Sequence, residues 1–231
     1  MTPTTMNPGS PSRRRDFRLL WAGQSLSLLG DYFAVLALPL LAIEVVGASV
    51  AEAALLPFAL FMPYLLLGLP AGAIVDRLPR RSTMLVCEAV QAATFGTIAV
   101  LALLGALTFP LLLALSAISG CALVFFQVAY TSYLPELLAT DDELQVGNAR
   151  LFLSESVSRT LGPIAAGPVI AVLGVVAAVC ANVASFVASF ATLLAIRPSV
   201  ARAEPRRREP GWLVRDVREG MAFVFRHDRL E

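Results

Sequence analysis

A chain of 231 residues that is 57% hydrophobic and 15% charged, with a mean hydropathy of +0.73 and a net charge of +1, lacks the polar residues a soluble domain of this size needs for its exterior. Its cations are all arginine, so a phosphate-gripping Walker lysine is absent and ATP-driven pumping by this chain alone is excluded. Cys87, Cys121 and Cys180 sit in three separate apolar runs and His227 stands alone in the polar tail, which predicts neither a disulfide framework nor a metal site and calls for no cofactor.

Taken in chain order, residues 1–18 form a basic tail, residues 19–196 an all-α membrane bundle, and residues 197–231 an arginine-rich segment. The apolar runs are each about the ~20 residues that cross ~30 Å of hydrocarbon. They predict six spans, Leu19–Val45, Ala53–Val75, Met84–Leu104, Pro110–Tyr130, Asn148–Val172 and Val175–Ile196. Leu161 to Ile196 is almost unbroken apolar sequence, and one helix there would run ~54 Å. The chain must therefore turn back, with Gly174 as the place, just as Gly105 and Pro110 divide the run from Met84 to Tyr133. The first run is too long for a cleaved signal peptide and carries Gln24 and Asp31.

Arginine placement tests the count. Arg13, Arg14, Arg15 and Arg18 precede the first span, Arg77, Arg80 and Arg81 follow the second, Arg150 and Arg159 belong to the fourth connection and the start of the fifth span, and the rest follow the sixth. Six spans put all of them on one side. The positive-inside rule makes that side cytoplasmic, with both termini there. Merging spans five and six would send the basic tail outside.

Within the first span, Asp31 lies ~18 Å along the helix from Leu19, near the centre of the hydrocarbon. A carboxylate at that depth costs several kcal/mol unless it is paired, wet or protonated. Gln24, Ser27 and Asp31 fall at i, i+3 and i+7 and form a polar stripe. The stripe reads either as a proton- or substrate-binding site or as a structural hydrogen bond from a protonated acid. In the second span, Gly68 and Gly72 leave a smooth face for a neighbouring helix. Asp76, Arg77, Arg80 and Arg81 follow at its end and read as a charged anchor or a gate. Glu88 in the third span, with Gln91 on its face, is close enough in sequence to Arg80 and Arg81 to predict an ion pair with them. Ser116, Gly120, Gln127 and Tyr130 in the fourth span lie along one face and offer a cavity wall. In the fifth, Glu155 and Arg159 are spaced to pair along the helix. Ser154, Ser158, Gly162 and Ala166 make a small-residue stripe, and Gly162-Pro163 and Gly167-Pro168 invite kinks. Asn182, Ser185, Ser189 and Thr192 in the sixth read as polar glue between helices.

GAIVDRLPRR, from Gly72 to Arg81, resembles the signature loop of the major facilitator superfamily, at the position that family requires between spans two and three. FRLLWAGQSLSLLGDYFAVLALPLLA from Phe17, FFQVAYTSYLPELL from Phe125 with LQVGNAR ending at Arg150, LGPIAAGP from Leu161, and the terminal VRDVREGMAFVFRHDRL resemble, in register, the drug- and siderophore-exporting proton antiporters of that superfamily. Pro79 stands where the loop usually has glycine, and the fourth helix lacks the arginine found in many proton antiporters. The resemblance implies one six-helix half of a twelve-helix fold that works by alternating access. It implies a cytoplasmic gate at Gly72, Asp76, Arg77, Arg80 and Arg81, and a gate or packing seam at Glu155, Arg159, Gly162, Pro163 and Gly167. It also implies a substrate and proton site among Asp31, Gln24, Ser27, Gln127 and Tyr130. The expected activity is proton-coupled export of small amphipathic molecules across a bacterial inner membrane. Expected partners are the substrate, membrane lipid and a second six-helix half, with no nucleic acid. The chain stops at Glu231, before a seventh helix, and so reads as truncated. The alternative is a non-transporting six-helix fragment, or a half that needs a partner chain. No HExxH, GxSxG or intramembrane histidine supports an enzyme.

Overall fold

The computed structural model describes residues 11–138 and 140–197. The expected basic segment beyond Arg197, with VRDVREGMAFVFRHDRL and His227, and the first ten residues lie outside the described residues.

Helix α1 covers Pro11–Glu44, α2 Val50–Ala53, α3 Leu55–Val75, α4 Arg80–Leu103, α5 Phe109–Leu137, α6 Asp141–Leu173 and α7 Val175–Ala195. Among the described residues six of these units are long and apolar enough to cross a membrane, with α2 and α3 together making the second. The short α2 is held by a capping box: the Ser49 N–H donates to Glu52 Oε2 at 2.8 Å, and the Glu52 N–H donates to Ser49 Oγ at 3.2 Å.

Three helices are longer than their apolar runs. α1 has 34 residues and α6 has 33, each roughly 50 Å at 1.5 Å per residue against a hydrocarbon core of about 30 Å. α1 begins eight residues before Leu19, because proline is accepted in a first turn and the arginines that follow are good helix formers. The polar stretch expected as a long link between Tyr130 and Asn148 is helical as far as Leu137 and again from Asp141. α5 continues to Leu137 because Tyr133, Leu134 and Leu137 are buried. α6 starts early because Thr140 Oγ1 accepts from the Glu143 N–H at 3.2 Å, and Asp141, Asp142 and Glu143 place negative charge on the positive end of the helix dipole.

The two ends of the bundle turn by different means. Gly47, Gly105 and Gly174 all have positive φ, of 73°, 65° and 85°, and no other described residue does. Together they serve the three connections at one end. Gly174, with ψ at 163°, occupies a region essentially closed to residues with a Cβ. At the opposite, basic end α3 gives way to α4 between Val75 and Arg80, and α5 to α6 between Leu137 and Asp141.

Packing follows chain order only in part. α1 lies against α6 and α7, α7 also against α4, α4 against α5, and α5 against α3. The helices therefore run α6, α1, α7, α4, α5, α3 in an open arc. Small residues permit the close approaches. A Cβ at Gly23 or Gly30 would collide with Thr192 or Ser185 of α7, one at Gly120 with the Leu60 carbonyl of α3, and one at Gly162 with Tyr32. Two apolar clusters fill the arc. One, at the glycine-turn end, includes Leu38, Leu41, Leu56, Ile98, Val179 and Phe186. The other, at the basic end, includes Phe17, Met84, Phe126, Tyr133 and Leu193. Between them lies a layer rich in buried polar side chains, among them Gln24, Ser27, Glu88, Gln91, Ser185 and Ser189.

Candidate functional site

Where the arc fails to close, a cavity of about 690 Å³ separates α1 and α6 from α3 and α5, with α4 at its back. α1 contributes Gln24, Asp31 and Tyr32; α3 contributes Phe61 and Tyr64; α4 contributes Gln91 and Phe95. α5 contributes Ser119, Gln127 and Tyr130, and α6 contributes Asn148, Phe152, Glu155 and Arg159. The wall is mostly aromatic and aliphatic, with a few convergent polar groups, which is the usual make-up of a small-molecule site.

The charges on this wall are unevenly matched. Arg159 Nη2 donates to Glu155 Oε1 at 2.9 Å, and its Nε donates to the Tyr32 hydroxyl at 3.1 Å. Arg159 and Glu155 therefore balance one another along α6. Asp31, half-buried on the neighbouring α1, has no hydrogen-bond or ion-pair partner among the described residues. Gly162 explains how Arg159 reaches α1. With no side chain it lets α6 press against the Tyr32 Cβ, and Arg159 sits one turn earlier on the same helix. Ser158 and Ala166 are buried on that face, and Ser154 Oγ accepts from the Trp21 indole N–H at 2.9 Å, so the whole small-residue stripe faces α1.

The remaining expected residues fall as follows. Ser27 is buried but does not line the cavity; it lies four residues after Gly23 and three before Gly30, both of which face α7. Ser116 is buried and donates to the Leu112 carbonyl at 2.8 Å, and Gly120 faces α3, so neither forms cavity wall. Gly167 looks onto open space, and Pro163 and Pro168 sit inside an α6 that stays helical through both. Among the described residues nothing comes within 4 Å of a Cβ added at Gly68 or Gly72, so no described helix covers the smooth face expected to draw a neighbour.

At the basic end, Asp76 is the exposed C-cap of α3 and Arg77 is half-buried. Arg80 forms an ion pair with Glu136 of α5. Arg81 donates from Nε to the Leu193 carbonyl at 3.0 Å and from Nη2 to the Leu194 carbonyl at 3.1 Å, satisfying acceptors left open at the end of α7. Glu88 does not pair with either arginine, contrary to expectation. It is fully buried two turns farther into the bundle, where Ser189 Oγ donates to its Oε1 at 2.6 Å.

Several lining residues escaped the reading of the sequence. Tyr32, Tyr64 and Asn148 bring polar atoms to the cavity, and their apolar or amphipathic neighbours gave no periodic signal. Tyr32 could have been found from its place beside Asp31.

Residues 6–230 match the family described as transmembrane secretion effector, of the MFS (major facilitator superfamily) class. The chain is 26% identical over 208 residues to the uncharacterized MFS-type transporter YfiS of Bacillus subtilis, covering 90% of this chain and 48% of that one. Its fold matches the human organic anion transporter MFSD10 (TETRAN) with a TM-score of 0.60 at 20% identity, over 84% of this chain and 52% of that one. The chain thus spans about half the length of the relatives it matches. With six membrane-length helices among its described residues and a family match running almost end to end, this multi-pass membrane chain belongs to the major facilitator superfamily.

Proposed function

We propose that the chain forms the cavity-bearing, amino-terminal half of a secondary active transporter that exports small amphipathic molecules in exchange for protons. The observation that carries this reading is the pairing of an aromatic-walled cavity with one uncompensated carboxyl, Asp31, deep in the first span. Phe61, Tyr64, Phe95 and Phe152 suit an apolar body, while Gln24, Gln127 and Tyr130 offer hydrogen bonds to a polar head. Asp31 can take up a proton when the cavity faces one aqueous phase and release it when the cavity faces the other. The open side of the arc is where a second six-helix half would complete the site, and the halves would rock about it. Asp76, Arg77, Arg80 and Arg81 then act at the cytoplasmic rim of a bacterial inner membrane, with both termini on that side.

The test is efflux from energised cells or vesicles expressing the complete gene, with and without an imposed pH gradient. Asp31→Asn keeps the side-chain shape and removes titration. It is expected to abolish gradient-driven export while sparing downhill flux, and Asp31→Glu to retain partial activity. An Asn variant that responds to the gradient like its parent would make Asp31 a structural acid.

A further inference from the structure

Behind the cavity wall, α7 packs against both α1 and α4, and the buried polar layer there holds Glu88. Its side chain is 0% exposed. One carboxyl oxygen accepts from the Ser189 hydroxyl at 2.6 Å; the other is equally buried and has no hydrogen-bond partner. The cations nearest in sequence are committed elsewhere, Arg80 to Glu136 and Arg81 to the end of α7. An ionised carboxylate with one neutral donor and no cation is far costlier in hydrocarbon than the neutral acid.

The carboxyl is also connected to the cavity. Gln91, one turn beyond Glu88 on α4, and Gln24 on α1 are only 3% and 7% exposed, yet both contribute to the cavity wall. Gly23, next to Gln24, packs on Ser189, the residue that holds Glu88. The Gln24 side-chain oxygen is itself buried without a partner. Glu88 does not line the cavity itself, but it has a cavity-lining glutamine one turn away on its own helix, and its Ser189 partner packs beside a second one on α1.

We propose that Glu88 is a proton-binding site separate from Asp31, charged from water in the cavity by way of Gln24 and Gln91 and held under the Ser189 hydroxyl. The step is simple protonation: the carboxylate takes a proton from cavity water, and the acid returns it when the cavity faces the other phase. Among the described residues the titratable group that acts on Glu88 through space is an acid, Asp31. α7 presents Ser189, Ser185 and Asn182, which do not titrate. α5 carries Tyr130 and Tyr133, besides Glu136, which Arg80 holds. α1 carries Asp31 and, nearer the basic end, Asp16; Cys87 is the neighbour on α4 itself. The proposal deepens the proton-coupled reading above, since a half-bundle with two exchangeable acids can move two protons per cycle rather than one.

Infrared difference spectroscopy on the protein purified from its complete gene and reconstituted in liposomes reads the C=O stretch of protonated carboxyls without any transport. A failure of efflux therefore leaves this test intact. The expected spectrum contains a buried-acid band that shifts in D2O, fades reversibly as pH rises, vanishes in Glu88→Gln and survives in Asp31→Asn. In Gln91→Leu the deuterium shift of that band is expected to slow several-fold. Should Glu88→Gln fail to insert, Glu88→Asp assigns the band by moving it. A spectrum with no Glu88-dependent band at any pH overturns the proposal. So does a band that persists at every pH the fold tolerates, and unchanged exchange in Gln91→Leu overturns the route.

Discussion

Gly162 and Gly167 are five residues apart on α6 and have opposite surroundings. A methyl group at Gly162 would run into Tyr32, while at Gly167 it would meet open space. Gly162→Ala is expected to push α6 from α1 and lower stability by about 1–3 kcal/mol, the cost of overpacking a well-fitted contact. Gly167→Ala should stay within about 0.5 kcal/mol of the parent. Thermal unfolding in detergent reads both, and equal losses would remove Gly162 from the seam. Asp76 makes a second case. It is exposed at the end of α3, so Asp76→Asn should leave membrane insertion intact; impaired export by the complete protein would assign it to the gate, and unchanged export would reduce it to an anchor. Asp31 was legible in the sequence because depth in an apolar run is a linear property. The partner of Glu88 was not, because Ser189 is 101 residues away and only the packing of α7 on α4 brings them together.

Helix ends show the same division. Gly174 was readable as a turn because an unbroken helix there would overshoot the bilayer, and only glycine takes its backbone conformation without strain. The α5–α6 link was misjudged because buried Tyr133, Leu134 and Leu137 carry α5 onward and the capped, acidic first turn starts α6 early, and polarity alone does not tell an overhanging helix from a loop. The end of α7 was unreadable from its own residues, since the donor that satisfies its last carbonyls is Arg81, at the start of α4. Arg81→Ala should fray that end, costing about 1 kcal/mol and speeding hydrogen exchange around Ala195–Arg197 while mid-helix protection is unchanged. Protection equal to the parent would show that solvent or lipid headgroups cap α7 as well.

Across the described residues, the glycine turns lie at the end opposite Arg77, Arg80 and Arg81, so one labelling experiment fixes the orientation. With Cys87, Cys121 and Cys180 replaced, a cysteine at Ala48 should react with an impermeant thiol reagent added to intact cells, and one at Ser82 should react only after the membrane is opened. The reverse pattern would invert the topology. Six spans, their breaks and their common basic side followed from composition and periodicity. The arc order did not, because helices in lipid are sorted by small-residue fit and polar contacts, which a one-dimensional pattern does not encode.

That arc has a consequence for biosynthesis. α1 leaves the ribosome first, yet its main partners are α6 and α7, the last two spans described, and it makes only slight contact with α3, the next long helix to emerge. Until α7 arrives, Gly23 and Gly30 face lipid or the insertion machinery rather than Thr192, Ser189 and Ser185, which they later pack against. A nascent chain paused after α5 would hold α3, α4 and α5 already paired, with α1 adrift beside them. Closure is thus late among these six spans, and a membrane protease that samples unpaired first helices would have the interval before α7 emerges in which to act.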